Sequence, residues 1–322
     1  MKRLRLLLLV LGFALFLHLV QRIGFATVWT QLRRIGWWLL PIGVLGVLWH
    51  WLQAWAWQRI LRQRRRIALR SLYLIKVVGE TINTITPAGF LGGDPMRIYL
   101  LRRHLPWIFG TASVVIDRTV QAMATLVTIV MGVLLIYWRI PHLPMNMRYG
   151  LPIVLIIACA FITYIFLHQQ HGFFGFGLQL LKRFRIRRHI APQRVEQVEE
   201  LDRRIAEFYR HDPSGFWLAL LLHWAGRMLG IVEIYWIGHA VNPLFGWPEA
   251  FILGALAPLI NLVFSFIPGA FGVMEGAFSG ALYLMHLPPA LGVTIQIVKR
   301  LRSGLWILLG FVCLSLQDKR GT

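Results

Sequence analysis

The chain has 322 residues, 57% of them hydrophobic, and a formal net charge of +21. A soluble domain of this length needs a polar surface that this composition cannot supply, and a nucleic-acid-binding module needs a basic soluble face that no segment provides. What remains is an all-α polytopic integral membrane protein whose basic residues must be explained by their position along the chain.

Apolar runs near the ~20 residues that cross a hydrocarbon core cover 4–20, 37–57, 109–138, 151–168, 216–238, 250–267 and 291–316. The first follows Lys2, Arg3 and Arg5 but has no small-x-small cleavage site after it, so a retained span is expected rather than a removed signal. "QRILRQRRRIALR" (58–70), "KRFRIRRHIAPQR" (182–194) and "DKR" (318–320) place the charge in loops beside spans, which holds those loops in the cytoplasm. Both termini are therefore expected inside, with about six full crossings, although Arg22, Arg33 and Arg34 fall in an external loop against this rule. The stretch 71–86 is short and stops at Pro87, and Arg102 and Arg103 return the chain to the cytoplasmic side, which predicts a re-entrant hairpin. The basic loop 169–214 is expected inside, and "PQRVEQVEELDRRIAEFYRHD" within it has spaced apolar positions that predict a surface helix. Cys159 and Cys313 both lie inside apolar runs, a placement that supports neither a disulfide framework nor a metal site.

The opening motif returns later in the chain. "PAGFLGGD" (87–94) and "PGAFGVME" (268–275) both run from a proline through small residues and a phenylalanine to an acid at the eighth place. The same spacing sets Asp94 against Glu275 and Arg118 against Lys299. One membrane domain, 1–322, built of halves 1–149 and 150–322, is predicted, with three crossings per half and hence an inverted repeat. Backbone broken at membrane depth survives only inside protein or against a watery cavity. Glycine permits the unusual dihedrals, and the start of each following half-helix offers amide donors and a positive dipole to an anion. A packing kink is the plainer alternative.

A charge at the bilayer centre costs about 2.5–3.5 kcal/mol on insertion scales, so buried ionisable residues mark cavities or pairs. Candidate binding residues at the first break are Asn83, Pro87, Gly89, Gly92, Gly93, Asp94 and Arg97, and at the second Asn261, Pro268, Gly269, Gly272 and Glu275. Arg118, Lys299 and Arg300 are the expected anion-facing cations. Glu80, Asp117, Arg227 and Glu233 are candidates for coupling or for simple ion pairs, Glu233 with Arg227 among them, and Arg302 is expected to be no more than a paired charge. Two half-helix ends beside cations suit an anion that carries its own hydrophobic tail. A proton-handling role for Asp94 and Glu275 follows from their symmetric placement alone.

The pieces "TINTITPAGFLGGDPMR", "VVIDRTVQ", "FIPGAFGVMEGAF" and "IVKRLRSGLWILLG" resemble the flippase-like transmembrane family related to the membrane half of lysylphosphatidylglycerol synthase. The first is also similar to a region of the hopanoid-associated membrane proteins of that superfamily, and "WAWQRIL" resembles a further family element. The resemblance covers nearly the whole chain. It implies a bacterial inner-membrane protein that moves or positions a lipid, with anionic phospholipid, polyprenyl phosphate or hopanoid as partner lipids. The chain as read carries no aminoacyl-transfer domain after the last span, so synthesis of a lysyl-lipid is not expected. Pro95 departs from the family pattern, in which a glutamate and a non-proline residue are frequent at this point.

Three functions follow as expectations. The first is lipid transport without catalysis. The second is a membrane enzyme acting on a lipid phosphate, but "HDPSGFW" has Phe216 where a lipid phosphatase motif has its histidine, and His50, His223 and His239 are scattered singly. The third is a scaffold for lipid-synthesis enzymes. No metal motif is present in the membrane part, and no cofactor is expected.

Overall fold

The computed structural model describes residues 35–62, 67–85, 90–140, 143–170, 172–176, 192–264, 267 and 270–318, with Gln21, Ala26, Trp29, Thr30 and Arg33 ahead of them. The first apolar run, Arg22 and Arg34, Pro87 and Gly89, Pro268 and Gly269, and the stretch 182–191 lie outside the described residues. Among the described residues the secondary structure is helical and no strand occurs. In chain order the helices are α1 (Leu39–Leu61), α2 (Leu69–Ile85), α3 (Phe90–Leu101), α4 (Trp107–Arg139) and α5 (Met145–Gln169). They continue with α6 (Pro192–His211), α7 (Pro213–Val241), α8 (Trp247–Val263), α9 (Val273–Leu284) and α10 (Ala290–Asp318).

Four of these helices, α1 with its leading turn, α4, α5 and α7, are long and apolar enough to cross a membrane, in line with the runs at 37–57, 109–138, 151–168 and 216–238. The exposed side chains of α5 include Ile153, Ile156, Ile157 and Phe161. An apolar helix with so little of itself inside the protein has hydrocarbon as its natural solvent. The chain is an all-α polytopic membrane protein.

The order of elements repeats. α2 and α8 have 17 residues each, α3 and α9 have 12 each, and a long helix follows both pairs, α4 with 33 residues and α10 with 29. None of the four short helices reaches the ~20 residues of a crossing. The most extensive helix pair is α1 with α7, which joins the two sets. One core gathers Trp57, Leu72, Ile75 and Leu101 from α1, α2 and α3, and another gathers Ile234, Leu253, Phe278 and Ile295 from α7, α8, α9 and α10.

α2 and α3 lie side by side in close contact, and glycine makes the approach possible. A Cβ at Gly93 would fall on the carbonyl oxygen of Gly79 and on the side chain of Asn83. The Gly93 amide donates to Asn83 Oδ1 at 2.9 Å, so this early amide of α3 is already satisfied within the protein. At the second break Gly272, with φ of 75°, starts α9, and Ala270 is held at φ of 44°.

The predicted surface helix is α6. Leu201, Ile205 and Phe208 share one face by their spacing and bury it in a third core with Ile116, Val120 and Phe216. Asp202 accepts from the amides of Phe174 and Gly175, at 3.0 and 2.6 Å. Asp212 caps α7 by accepting from the Gly215 amide at 2.8 Å, with Pro213 at the first helical position. It also pairs with Arg59 at 3.6 Å, which ties the end of α1 to the start of α7.

Gly93→Ala is expected to lower the thermal unfolding midpoint of the detergent-solubilised protein, because two backbones must separate to admit one methyl group. Gly280→Ala on α9, where an added Cβ meets nothing within 4 Å, should leave the midpoint unchanged or raise it.

Candidate functional site

Asp117 sits one position before Arg118 on α4, so the two side chains leave the helix in different directions. Asp117 points inward and is fully buried. Its Oδ2 accepts from Lys76 Nζ at 2.9 Å and from Arg97 Nη2 at 2.7 Å, and its Oδ1 lies 3.1 Å from His223 Nε2. Arg97 stacks on Trp57, 4.2 Å from the ring centre, and reaches Asp94 Oδ1 at 3.2 Å through its other nitrogen. Asp94 in turn accepts from Arg118 Nε at 2.9 and 2.8 Å, and Arg118 Nη1 donates to Gln121 at 3.0 Å. The result is an alternating chain, Lys76–Asp117–Arg97–Asp94–Arg118. Asp117 and Arg97 are sealed, while the Asp94 side chain is 19% exposed and that of Arg118 30%.

That exposed end lines a cleft. Trp49, His50 and Gln53 of α1, Lys76 and Glu80 of α2, and Arg118 and Gln121 of α4 form one stretch of its wall. The wall continues through Thr81 and Thr84 to Arg302, Ser303 and Trp306 of α10. His50 stands between Trp49 and Trp306, at centroid distances of 4.6 and 4.3 Å. The two stretches meet at Trp49, His50 and Glu80, so one end of the cleft, with Lys76 and Arg118, is formed by the first set of helices alone and the other brings in Arg302 of the second set. A separate apolar cavity of about 290 Å³ lies among α4, α5, α8 and α9, lined by Ile136, Leu151, Leu256 and Ala281 among others.

The second break is fastened by Arg300. Its Nε donates to Glu275 Oε1 at 2.6 Å, its guanidinium lies 3.8 Å over Phe271, and its Nη2 reaches the Ala270 carbonyl at 3.5 Å. Those contacts hold the unusual backbone at Ala270 and Gly272 in place. The acid of the second motif is therefore paired with Arg300, and Lys299, the residue spaced like Arg118, lies instead 5.8 Å over the Phe278 ring.

The structure brings Glu80, Asp94, Arg97, Asp117 and Arg118 together around one end of the cleft, and it places several other predicted residues differently. Asn83 and Gly93 satisfy each other and so do not present an open anion seat; Gly92 is half-buried beside them. Asn261 is exposed near the end of α8 beside the exposed Leu262 and Val263, and it does not line the cleft. Glu233 pairs with Arg302 at 3.0 Å rather than with Arg227, whose guanidinium donates to Thr125 Oγ1 at 3.0 and 2.8 Å. Arg302, expected only as a paired charge, also faces the cleft.

Sequence reasoning passed over Lys76, Gln53 and Gln121, and it read His50 and His223 as scattered single histidines. A signal existed for two of them: Lys76 and Glu80 are four apart, and Arg118 and Gln121 three apart, which puts each pair on one helix face. His223 could be joined to Asp117 only by the packing of α7 on α4. Among the described residues no group of three or more His, Cys, Asp or Glu is placed to hold a metal ion.

A family model described as lysylphosphatidylglycerol synthase TM region matches residues 4–310. A protein described as a UPF0104 membrane protein, from Methanothermobacter thermautotrophicus, is 24% identical over 269 residues, which covers 75% of this chain and 73% of the relative. No solved structure matches the chain.

Asp117→Asn should destabilise the protein strongly, by about 3–5 kcal/mol, because it leaves Lys76 and Arg97 facing a neutral group in a buried site. Chemical unfolding in detergent measures the loss. The double replacement Asp117→Leu with Lys76→Met should cost less than the sum of the two single changes.

Proposed function

Because the chain belongs to the lysylphosphatidylglycerol synthase transmembrane-region family, we propose that it moves an anionic lipid between the leaflets of the bacterial inner membrane. The observation that carries this reading is the cleft along α1, α2, α4 and α10, with Arg118 at one end and Arg302 at the other. The headgroup enters that cleft and exchanges its water for guanidinium, amide and imidazole groups. The acyl chains remain among the apolar side chains that α5 and its neighbours present to the bilayer.

Each cleft cation already has a carboxylate, Arg118 in Asp94 and Arg302 in Glu233. A headgroup therefore shares a cation with an acid and does not capture an isolated charge. Such sharing keeps binding moderate, and a transported species must leave as readily as it enters. The halves 1–149 and 150–322 act as an inverted repeat, and rocking of one against the other opens the cleft first to one leaflet and then to the other. Both termini lie in the cytoplasm, on the side of the basic loop 169–214. No bond in the lipid is made or broken in this reading.

Reconstitution in liposomes with fluorescent phosphatidylglycerol in one leaflet tests it. Protein-dependent exchange between leaflets is expected, with the rate falling about 10-fold or more in Arg118→Ala and in Arg302→Ala. A new lipid species on chromatography would instead assign a membrane enzyme. Vesicles that show neither exchange nor product, with a lipid-synthesis enzyme recovered as a specific partner, would assign a scaffold.

A further inference from the structure

The charges at membrane depth do not balance evenly across the protein. Around the first break Lys76, Arg97 and Arg118 stand against Glu80, Asp94 and Asp117, three cations and three carboxylates. At the second break Arg300 stands against Glu275. The junction of α7 with α10 differs: Arg227, Lys299 and Arg302 stand against Glu233 alone, three cations against one acid.

These four side chains are neighbours. Lys299 lies within electrostatic reach of Arg227, Arg302 and Glu233. Glu233 is almost fully buried, and its ion pair is with Arg302 at 3.0 Å. Neither Arg227 nor Lys299 has a carboxylate within 4.0 Å among the described residues: Arg227 holds the neutral Thr125 hydroxyl, and Lys299 has the Phe278 ring at 5.8 Å. Two like charges left close together at membrane depth repel each other and forgo the solvation of bulk water. A ligand with about two negative charges would offset the excess.

The junction also continues the cleft. Arg118, Gln121 and Thr125 follow one face of α4 at spacings of three and four, and Arg118 and Gln121 line the cleft while Thr125 holds Arg227. On α10, Lys299, Arg302, Ser303 and Trp306 share a face in the same way, and the last three line the cleft. Both strips of cleft residues thus run toward the place where the positive charge is in excess.

We propose that the Arg227–Lys299–Arg302 junction binds the headgroup of a lipid phosphomonoester, whose phosphate carries about −1.5 to −2 at neutral pH, in preference to a phosphodiester lipid with a single charge. This rests on the reading of the cleft as a lipid-headgroup path and names the class of lipid that fits its most positive end. A phosphate with three terminal oxygens can accept from an ammonium and two guanidinium groups together, whereas a diester presents two. Arg302, shared with Glu233, connects this position to the rest of the cleft.

Binding of dioleoyl phosphatidic acid, dioleoyl phosphatidylglycerol and inorganic phosphate to the full chain in detergent micelles tests the assignment. Phosphatidic acid should bind at least about 10-fold more tightly than phosphatidylglycerol. Lys299→Gln and Arg227→Gln should each remove most of that preference, and Lys299→Arg should keep it. Equal binding of the two lipids by the unmodified protein overturns the proposal, and so does a preference that survives both glutamine variants. Should one variant fail to fold, the ratio in the unmodified protein and the other variant still decide. Inorganic phosphate binding as tightly as phosphatidic acid overturns the lipid as the source of the phosphate. Exchange of phosphatidylglycerol between leaflets without any binding preference would remove the phosphomonoester and leave transport standing. A clear preference without lipid movement would do the reverse.

Discussion

The carboxylate of Asp117 holds together parts of the chain that are far apart in sequence. It accepts from Lys76 on α2 and Arg97 on α3 and lies beside His223 on α7, while its own helix, α4, has 33 residues. A buried carboxylate without such partners costs several kcal/mol, so each donor is held to its position by the others. Arg118, one residue further along, is oriented through Asp94 and Arg97 by the same chain of contacts. The position of the cleft therefore follows from how the protein solves the problem of burying charge at membrane depth.

The two breaks have different physical roles. At the first, Asn83 satisfies an early amide of α3 and the Gly79–Gly93 contact lets α2 and α3 touch backbone to backbone. At the second, Arg300 supplies from outside the segment the contacts that hold Ala270 and Gly272 in left-handed conformations. Both solutions consume polar groups that an isolated reading of the motifs assigns to a ligand. What remains open to a ligand lies beside the breaks, along α1, α2, α4 and α10.

The apolar features complement the polar ones. The apolar stretch of α5 has no fully buried residue, and the cavity among α4, α5, α8 and α9 is lined by aliphatic side chains. A lipid has both kinds of surface, and a protein that handles one benefits from a polar cleft near apolar helices in contact with the bilayer. α6 supplies a third element, an amphipathic helix whose buried face packs on α4.

Much of the architecture is legible in the sequence because it depends on local quantities. Apolar runs of sufficient length give α1, α4, α5 and α7, the spacing of Leu201, Ile205 and Phe208 gives α6, and the repeated Pro/Gly/acid motif marks the places where short helices replace crossings. The family resemblance rests on those same local motifs. The partners of the charged residues are not legible in that way, because an ion pair between helices depends on rotation and depth. Tertiary packing alone decided that Asp117 meets Lys76 and His223, that Glu233 takes Arg302 rather than Arg227, and that Glu275 takes Arg300 rather than Lys299. A turn of one residue on a helix moves a side chain by about 100°, so adjacent cations in the sequence face different neighbours in space.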